Sequence, residues 1–429
     1  MAKKEKKQKV KKTAKQRAKT ALKVLLSIVL VIAVLFGIAT CVNIVGVKSN
    51  ANFVNDNVKK LEYENQLLPV LDESGNYTFT TSTDDSKFKV LQLTDVHLGG
   101  GFMSIKKDNM ALNAVAAMIT AEKPDLVVVT GDVAYPVPFQ AGTINNKRPA
   151  ILFADMMEKL GVYWCITFGN HDTEAYSFFT REEIGNLYCN HNKYPHCLLQ
   201  FGPDDVDGCG NYVINIKNPS GKIIQSLFMI DSHSYTDNDY FGIMWKYDCV
   251  HKSQIDWYKK SLEDIAQSNG GEMPKSLMFM HIPVKEFRDA YYEYRDNGFK
   301  DTDNVKYVFG KNNEKDKVVY CSEKNEGLFD TCLEFGSTKG MFFGHDHLNN
   351  ITLDYKGMYM SYSYSVDYLA YVGIAKYGAQ RGCSVITVNP DGTFDCVKEN
   401  YYQDKYAAPS PKEAVTMEDY NQPETEGTK

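Results

Sequence analysis

The chain is 429 residues long, 43% hydrophobic and 24% charged, proportions that fit a globular protein and exclude a fibrous or wholly disordered one. Its formal net charge of −6 hides an asymmetry: eleven of the 48 basic residues but one of the 54 acidic residues fall in the first 23 positions, leaving 37 basic against 53 acidic groups beyond them. So acidic a remainder excludes a stable nucleic-acid partner, because that affinity comes mostly from cations on phosphates.

Residues 1–23 read as a basic cytoplasmic segment and 24–46 as a transmembrane anchor. The nineteen residues 24–42, "VLLSIVLVIAVLFGIATCV", carry no charge, and at roughly 1.5 Å per residue they nearly span the ~30 Å hydrocarbon layer. A basic flank stays in the cytoplasm. The expected location is therefore the cell membrane, single-pass, with the catalytic domain extracytoplasmic. A cleaved signal peptide is the competing reading, although its apolar region usually runs only ~7 to 15 residues. Cys41 reads as an apolar helix residue.

Residues 47–86 are polar and turn-rich ("LDESGNYTFTTSTDDS") and suit a stalk and entry segment. From 87 to 403 short β-branched runs alternate with amphipathic stretches: "FKVLQLTD", "MALNAVAAMITAE", "DLVVVTGD", "ILFADMMEKLG", "YWCITFGN", "SLFMIDSH", "SQIDWYKKSLEDIAQ", "SLMFMHIP" and "GMFFGHDH". Strand and helix in alternation predict an α/β layered domain. Residues 404–429 are polar and read as a disordered tail. Nine of ten cysteines lie beyond the apolar run, and "CNHNKYPHC" with Cys209 nearby allows a disulfide within that loop. Pairing among Cys189, Cys197, Cys209, Cys321 and Cys332 stays open.

Five apolar runs end on metal-ligating residue types. "VLQLTDVH" ends on Asp95 and His97, "LVVVTGD" on Asp132, "WCITFGNHD" on Asn170 and His171, "SLMFMH" on His281, and "MFFGHDH" on His345 and His347. Carboxyl ends of strands are where α/β sheets place ligand sites. Two divalent ions roughly 3.5 to 4 Å apart need a bridging carboxylate plus nitrogen and oxygen ligands on each side. Asp132 suits the bridge. One ion then takes Asp95, His97, Asp132 and His347, and the other Asp132, Asn170, His281 and His345. His171 is left to meet the substrate, with Asp172 as the partner expected to orient its ring.

In this order the blocks "DVH", "GD", "GNHD", "MH" and "GHDH" resemble the calcineurin-like metallophosphoesterases. The flanks "AEKPDLVVVTGDVAY", "FMHIPV" and "GHDHLNN" are similar to the purple acid phosphatase-related branch. The resemblance implies a four-layer α/β/β/α sandwich with two mixed sheets, two divalent or mixed-valence ions (Mn, Fe, Zn or similar) and an attacking hydroxide shared between them. It implies a phosphate-ester substrate, with a nucleotide or lipid phosphodiester as the alternative and a catalytically silent tethered binding protein as the rival class. The purple enzymes proper carry Asp-x-Gly at the first motif and a tyrosine ligand in G-D-x-x-Y. This chain has His97 as well as Tyr135, so tyrosinate ligation is not expected. His191, His196 and His251 read as solvated, His233 as a possible rim residue, and Arg381 as a surface ion-pair residue or a phosphate contact.

Overall fold

The computed structural model describes residues 13–371, 374 and 381–399; the tail 404–429 and positions 1–12 of the basic segment lie outside them. In chain order come α1 (Ala14–Asn57), β1 (Val70–Leu71), β2 (Tyr77–Thr80), β3 (Phe88–Leu93), α2 (Ile105–Glu122), β4 (Leu126–Thr130), α3 (Pro138–Ala141), α4 (Lys147–Leu160), β5 (Trp164–Thr167) and α5 (Arg181–Tyr188). They are followed by β6 (Tyr212–Lys217), β7 (Ile223–Met229), α6 (Lys252–Ser268), β8 (Lys275–Phe279), α7 (Lys285–Asp296), β9 (Val305–Phe309), α8 (Leu328–Phe335), β10 (Thr338–Phe343), β11 (Thr352–Tyr355), β12 (Met358–Tyr362), β13 (Cys383–Val388) and β14 (Phe394–Glu399).

The strands form two mixed sheets, a five-stranded one in the order β14-β13-β3-β4-β5 and a nine-stranded one in the order β1-β2-β6-β7-β8-β10-β12-β11-β9. β3, β4 and β5 run parallel, as do β7, β8, β10 and β12. Alternate residues of a strand face opposite sides, and here both sides are buried. Leu277, Phe279 and Phe342 join one core with the five-stranded sheet, α2 and α4, whereas Met278, Met341 and Phe343 join a second core with Tyr258, Phe287 and Phe329 of α6, α7 and α8. The result is the expected helix–sheet–sheet–helix stack.

α1 is one unbroken 44-residue helix, begun by a capping box at Thr13 and Gln16, and its apolar part is long and uncharged enough to cross a membrane. Residues 47–86, which composition assigns to a stalk and entry segment, are built into the domain. α1 continues to Asn57, burying Asn43, Gly46, Asn50 and Val54 as one face, and β2 pairs with β6. Small polar residues at three- and four-residue spacing make that face, so it reads as polar in composition although it packs. Asn50 Nδ2 donates to Ile105 O at 3.0 Å and to Asn109 Oδ1 at 2.7 Å. All ten cysteines are free thiols, so the disulfide allowed in the 189–209 loop does not form. Cys197 is buried beside β5, and the Cys189 thiol, pushed up to about 11 by burial, donates to Leu199 O.

Lys398 of β14 crosses between the sheets. Its buried Nζ donates to Ser361 Oγ at 2.7 Å, to Ser384 Oγ at 2.8 Å and to Tyr362 O. Burial pulls its pKa from 10.5 down to about 8. Between those values the unfolded chain binds more protons than the folded one, so this group's destabilisation is complete below pH 8 and is relieved as pH rises to 10.5. Relative to Lys398→Met, the wild type should therefore gain about 3 kcal/mol across that window, read from thermal unfolding midpoints at a series of pH values. A constant gap between the two proteins would remove the buried cation from the account.

Candidate metal centre

The carboxyl ends of β3, β4 and β5 meet those of β8 and β10, and the eight expected residues come together there. Asp95, His97, Asp132 and His345 all hold left-handed backbone conformations, with φ of 51°, 52°, 54° and 81°. Two motif glycines are required by close approach. A Cβ on Gly169 would lie 2.1 Å from Asp132 Oδ1, and one on Gly344 would lie 1.9 Å from Thr94 Oγ1. Any side chain there pushes the ligand loops apart.

Asp95, His97, Asp132 and His347 bring one ligand atom each within 4.8 Å of one another, and all four are buried. Asp132 Oδ2 lies 3.2 Å from His97 Nε2 and also 3.2 Å from His281 Nε2. On that second side His281 Nε2 is 3.2 Å from Asn170 Oδ1, and the His345 ring lies 5.2 Å from the His281 ring. One carboxylate oxygen thus faces both ligand groups.

The outer atoms fix which lone pairs point inward. Thr130 O lies 2.7 Å from His281 Nδ1, which therefore carries the proton and leaves Nε2 free for a cation. Asp367 stands behind two imidazoles, 3.0 Å from His347 Nδ1 and 3.6 Å from His97 Nδ1. Asn170 donates its amide to Tyr235 at 2.9 Å, leaving its oxygen for the site. Such outer partners orient metal-binding imidazoles and amides.

The electrostatics ask for positive charge. Burial works against a proton on His97, yet Asp132 and Asp367 raise it to about 10, and His281 is likewise raised to about 9 against burial by Asp132. Asp132 and Asp367 stay well below the usual carboxylate range despite burial, because imidazolium charge faces them. Burial and neighbouring His281 push His345 the other way, well below its ordinary value. Protons on His97 and His281 stand where divalent cations would supply the charge, and the inward oxygen and nitrogen donors fit Mn, Fe or Zn.

Asp172 corrects the sequence reading. Its carboxylate accepts from the backbone N–H groups of Asp132, Ala134 and Gly169 at 2.9, 2.9 and 2.8 Å, so it ties the β4 and β5 loops together. The His171 ring is held instead by Glu174, whose Oε1 lies 2.6 Å from Nδ1. Glu174 is three residues on, a signal present in "GNHDTE" but shadowed by the nearer aspartate. Asp367, Tyr235 and Arg181 carry no local signal. Arg181 clamps Asp231 at 2.5 Å and Gly169 O at 2.9 Å. Arg381 is neither a surface ion pair nor a phosphate contact, because it is buried, donates to Asp367 O at 2.7 Å and stacks on Tyr368. His233 meets Gln254 rather than the rim, and His196 and His251 are held by Glu158 and by Asp207 with Asp248. Tyr135 donates to Gln140 at 3.0 Å while its ring stacks on His97, which leaves its hydroxyl turned from the ligand groups.

The centre opens into a cavity of about 350 Å³ that reaches His171, Glu174, His345 and His347 under a wall of tyrosines. A larger groove of about 1000 Å³ by Trp257 and Gln200 touches none of these ligands.

Two ligand groups sharing one carboxylate at the strand ends of paired mixed sheets are the pattern of the dimetal phosphoesterase family. The family model of calcineurin-like phosphoesterases matches residues 88–349, and the chain belongs to that family. It is 31% identical over 318 residues to the Arabidopsis thaliana protein named probable inactive purple acid phosphatase 14, covering 67% of this chain and 72% of the relative. To phosphatase DCR2 of Saccharomyces cerevisiae it is 29% identical over 291 residues, covering 63% of this chain and 46% of that one. A dimetal phosphatase structure from Danio rerio aligns with 70% of this chain and 92% of its own at 13% identity, with a TM-score of 0.45.

Asp367→Asn should weaken divalent-metal binding by about 10- to 100-fold, the usual cost of losing an outer-shell partner. Titration of the metal-free protein with Mn(II) or Zn(II) reads it. Unchanged affinity would reduce Asp367 to a packing residue.

Proposed function

We propose that the chain is a membrane-anchored phosphoesterase whose extracytoplasmic domain hydrolyses phosphate esters. The observation that carries this reading is the complete and inward-facing ligand set around Asp132 Oδ2. One ion would be held by Asp95, His97, Asp132 and His347 and the other by Asp132, Asn170, His281 and His345, and such a pair supplies Lewis acidity toward the phosphoryl oxygens and acidifies the attacking water.

His171 does the remaining work at the cavity. Its side chain is 25% exposed while Glu174 is nearly buried, so Glu174 takes Nδ1 and Nε2 is presented to the substrate. From there it stabilises charge on the phosphoryl group or protonates the leaving alkoxide. Tyr135 packs face to face against His97 and edge-on to His171, which limits the swing of both rings.

The rival is a tethered binding protein without turnover, a reading favoured by the words "probable inactive" in the name of the Arabidopsis relative. Its expected mark is a broken ligand set, and every ligand position here keeps a competent residue. Turnover by the metal-loaded full chain on a panel of mono- and diesters separates the two.

His171→Ala should lower kcat by about 10² or more with two metals per chain retained, and Glu174→Gln should lower it less while moving the pH profile. Metal lost in step with activity would make His171 a ligand instead. For topology, protease added outside intact cells should remove the domain; protection until lysis would reverse the orientation.

A further inference from the structure

The aromatic side chains that this domain exposes are not scattered. Phe102 follows β3, Phe139 follows β4, Phe178 follows β5, Phe241 and Trp245 follow β7, and Tyr371 follows β12. β3, β4 and β5 run parallel to one another, and β7 and β12 run parallel to β8 and β10 in the other sheet; the ligands of both sheets follow the carboxyl ends of these strands, so all six rings stand on the edge that carries the metal ligands. Together with Tyr240, and with Phe36 in the apolar run of α1, they are the exposed aromatic side chains among the described residues. Phe139 is 89% exposed and Ile243 79%, values that water does not favour for large apolar groups without a partner.

The N-terminal helix leaves the domain at this same edge. Asn43 follows immediately on the apolar run 24–42, and it docks directly. Its Nδ2 donates to Gly142 O at 2.9 Å and its Oδ1 accepts from Phe102 N at 2.8 Å, both in loops beyond the ends of β3 and β4. Fourteen residues later the helix ends at the opposite edge, where Leu61 N donates to Leu160 O at the close of α4. No spacer separates the apolar run from the loops around the cavity. An anchor in this position holds the cavity mouth against the bilayer, with aromatic rings at the depth where such rings collect.

The cavity chemistry names the occupant. Phe241, Trp245 and tyrosines line it, and no lysine or arginine is among its described lining residues. One phosphate can be met by the metal centre, while the rest of the substrate meets rings and then the aliphatic side chains of Ile243 and Met244 outside. That gradient fits acyl chains better than a polyphosphate or a sugar. We propose that the active site faces the membrane and takes the phosphate-ester headgroup of a lipid in that bilayer, an inference that rests on the anchored phosphoesterase reading above. Water adds its oxygen to phosphorus as the ester P–O bond breaks, and its proton passes to the leaving oxygen. The lipid alcohol stays in the bilayer and inorganic phosphate departs.

The test uses the full chain, loaded with Mn(II), in phosphatidylcholine nanodiscs containing dioleoyl phosphatidic acid, with p-nitrophenyl phosphate and adenosine monophosphate supplied in water. Phe139, Ile243 and Met244 lie outside the cavity lining. The F139S/I243S/M244S variant should lose about ten-fold of its rate on the lipid while its rate on p-nitrophenyl phosphate stays within about two-fold. Brominated phosphatidylcholine should quench tryptophan emission of the wild type, and that quenching should vanish in Trp245→Phe. Absent quenching, a variant unimpaired on the lipid, or hydrolysis of the soluble esters without the lipid overturns the membrane-facing site and leaves the phosphoesterase reading standing. No turnover of any of the three esters overturns the phosphoesterase reading, and quenching still reports the orientation.

Discussion

A single oxygen, Asp132 Oδ2, sits between two imidazoles at 3.2 Å from each. His97 comes from the five-stranded sheet and His281 from the nine-stranded sheet, so this contact fixes the spacing of the two layers at their ligand edge. Around it the backbone is locked by Asp172, which binds three N–H groups of the β4 and β5 loops. Asp132, Asn170 and His171 therefore share one rigid block. The two sheets bury Leu277, Phe279 and Phe342 against the opposite layer, and that packing sets the distance across which the oxygen can serve both sides.

The strands that deliver ligands were legible because they are buried on both faces. β4 reads "LVVVT" with no exposed position, and such a run followed by Gly-Asp declares both its conformation and its end. β14 could not be read that way, since "FDCVKE" alternates half-buried and exposed side chains over its first four positions and then buries a lysine, at a sheet edge. β6 hid within a polar stretch even though "DGCGN" before it and "NPSGK" after it are turn signals. Asp367 escaped for a different reason. It serves His97 from 270 positions away, and no local pattern marks a carboxylate whose role is to stand behind another residue's ring. The packed face of α1 escaped because Asn43, Gly46 and Asn50 look like solvent residues until their partners Phe102 and Ile105 are in place.

Asp172 shows how a correct residue can be given the wrong role. Adjacency to His171 suggested a side-chain partner, but a residue next in sequence on an extended or turning backbone points elsewhere. The i+3 residue Glu174 reaches back over the turn. Backbone amides needed an acceptor more than the imidazole needed a second one, and Asp172 met that need.

Four of the ligand residues, Asp95, His97, Asp132 and His345, hold φ between 51° and 81°. For residues with a Cβ this conformation costs roughly 1–2 kcal/mol each, so the site stores on the order of 4–8 kcal/mol of backbone strain that the surrounding layers must hold. That energy is committed when the chain folds, before any ion arrives. Ions then meet ligands that need little rearrangement, and the entropy of gathering them has already been spent. The counterpart is that these loops gain from letting go: in the metal-free chain four strained residues stand together there, and loosening should begin there rather than at the helices that flank the sheets.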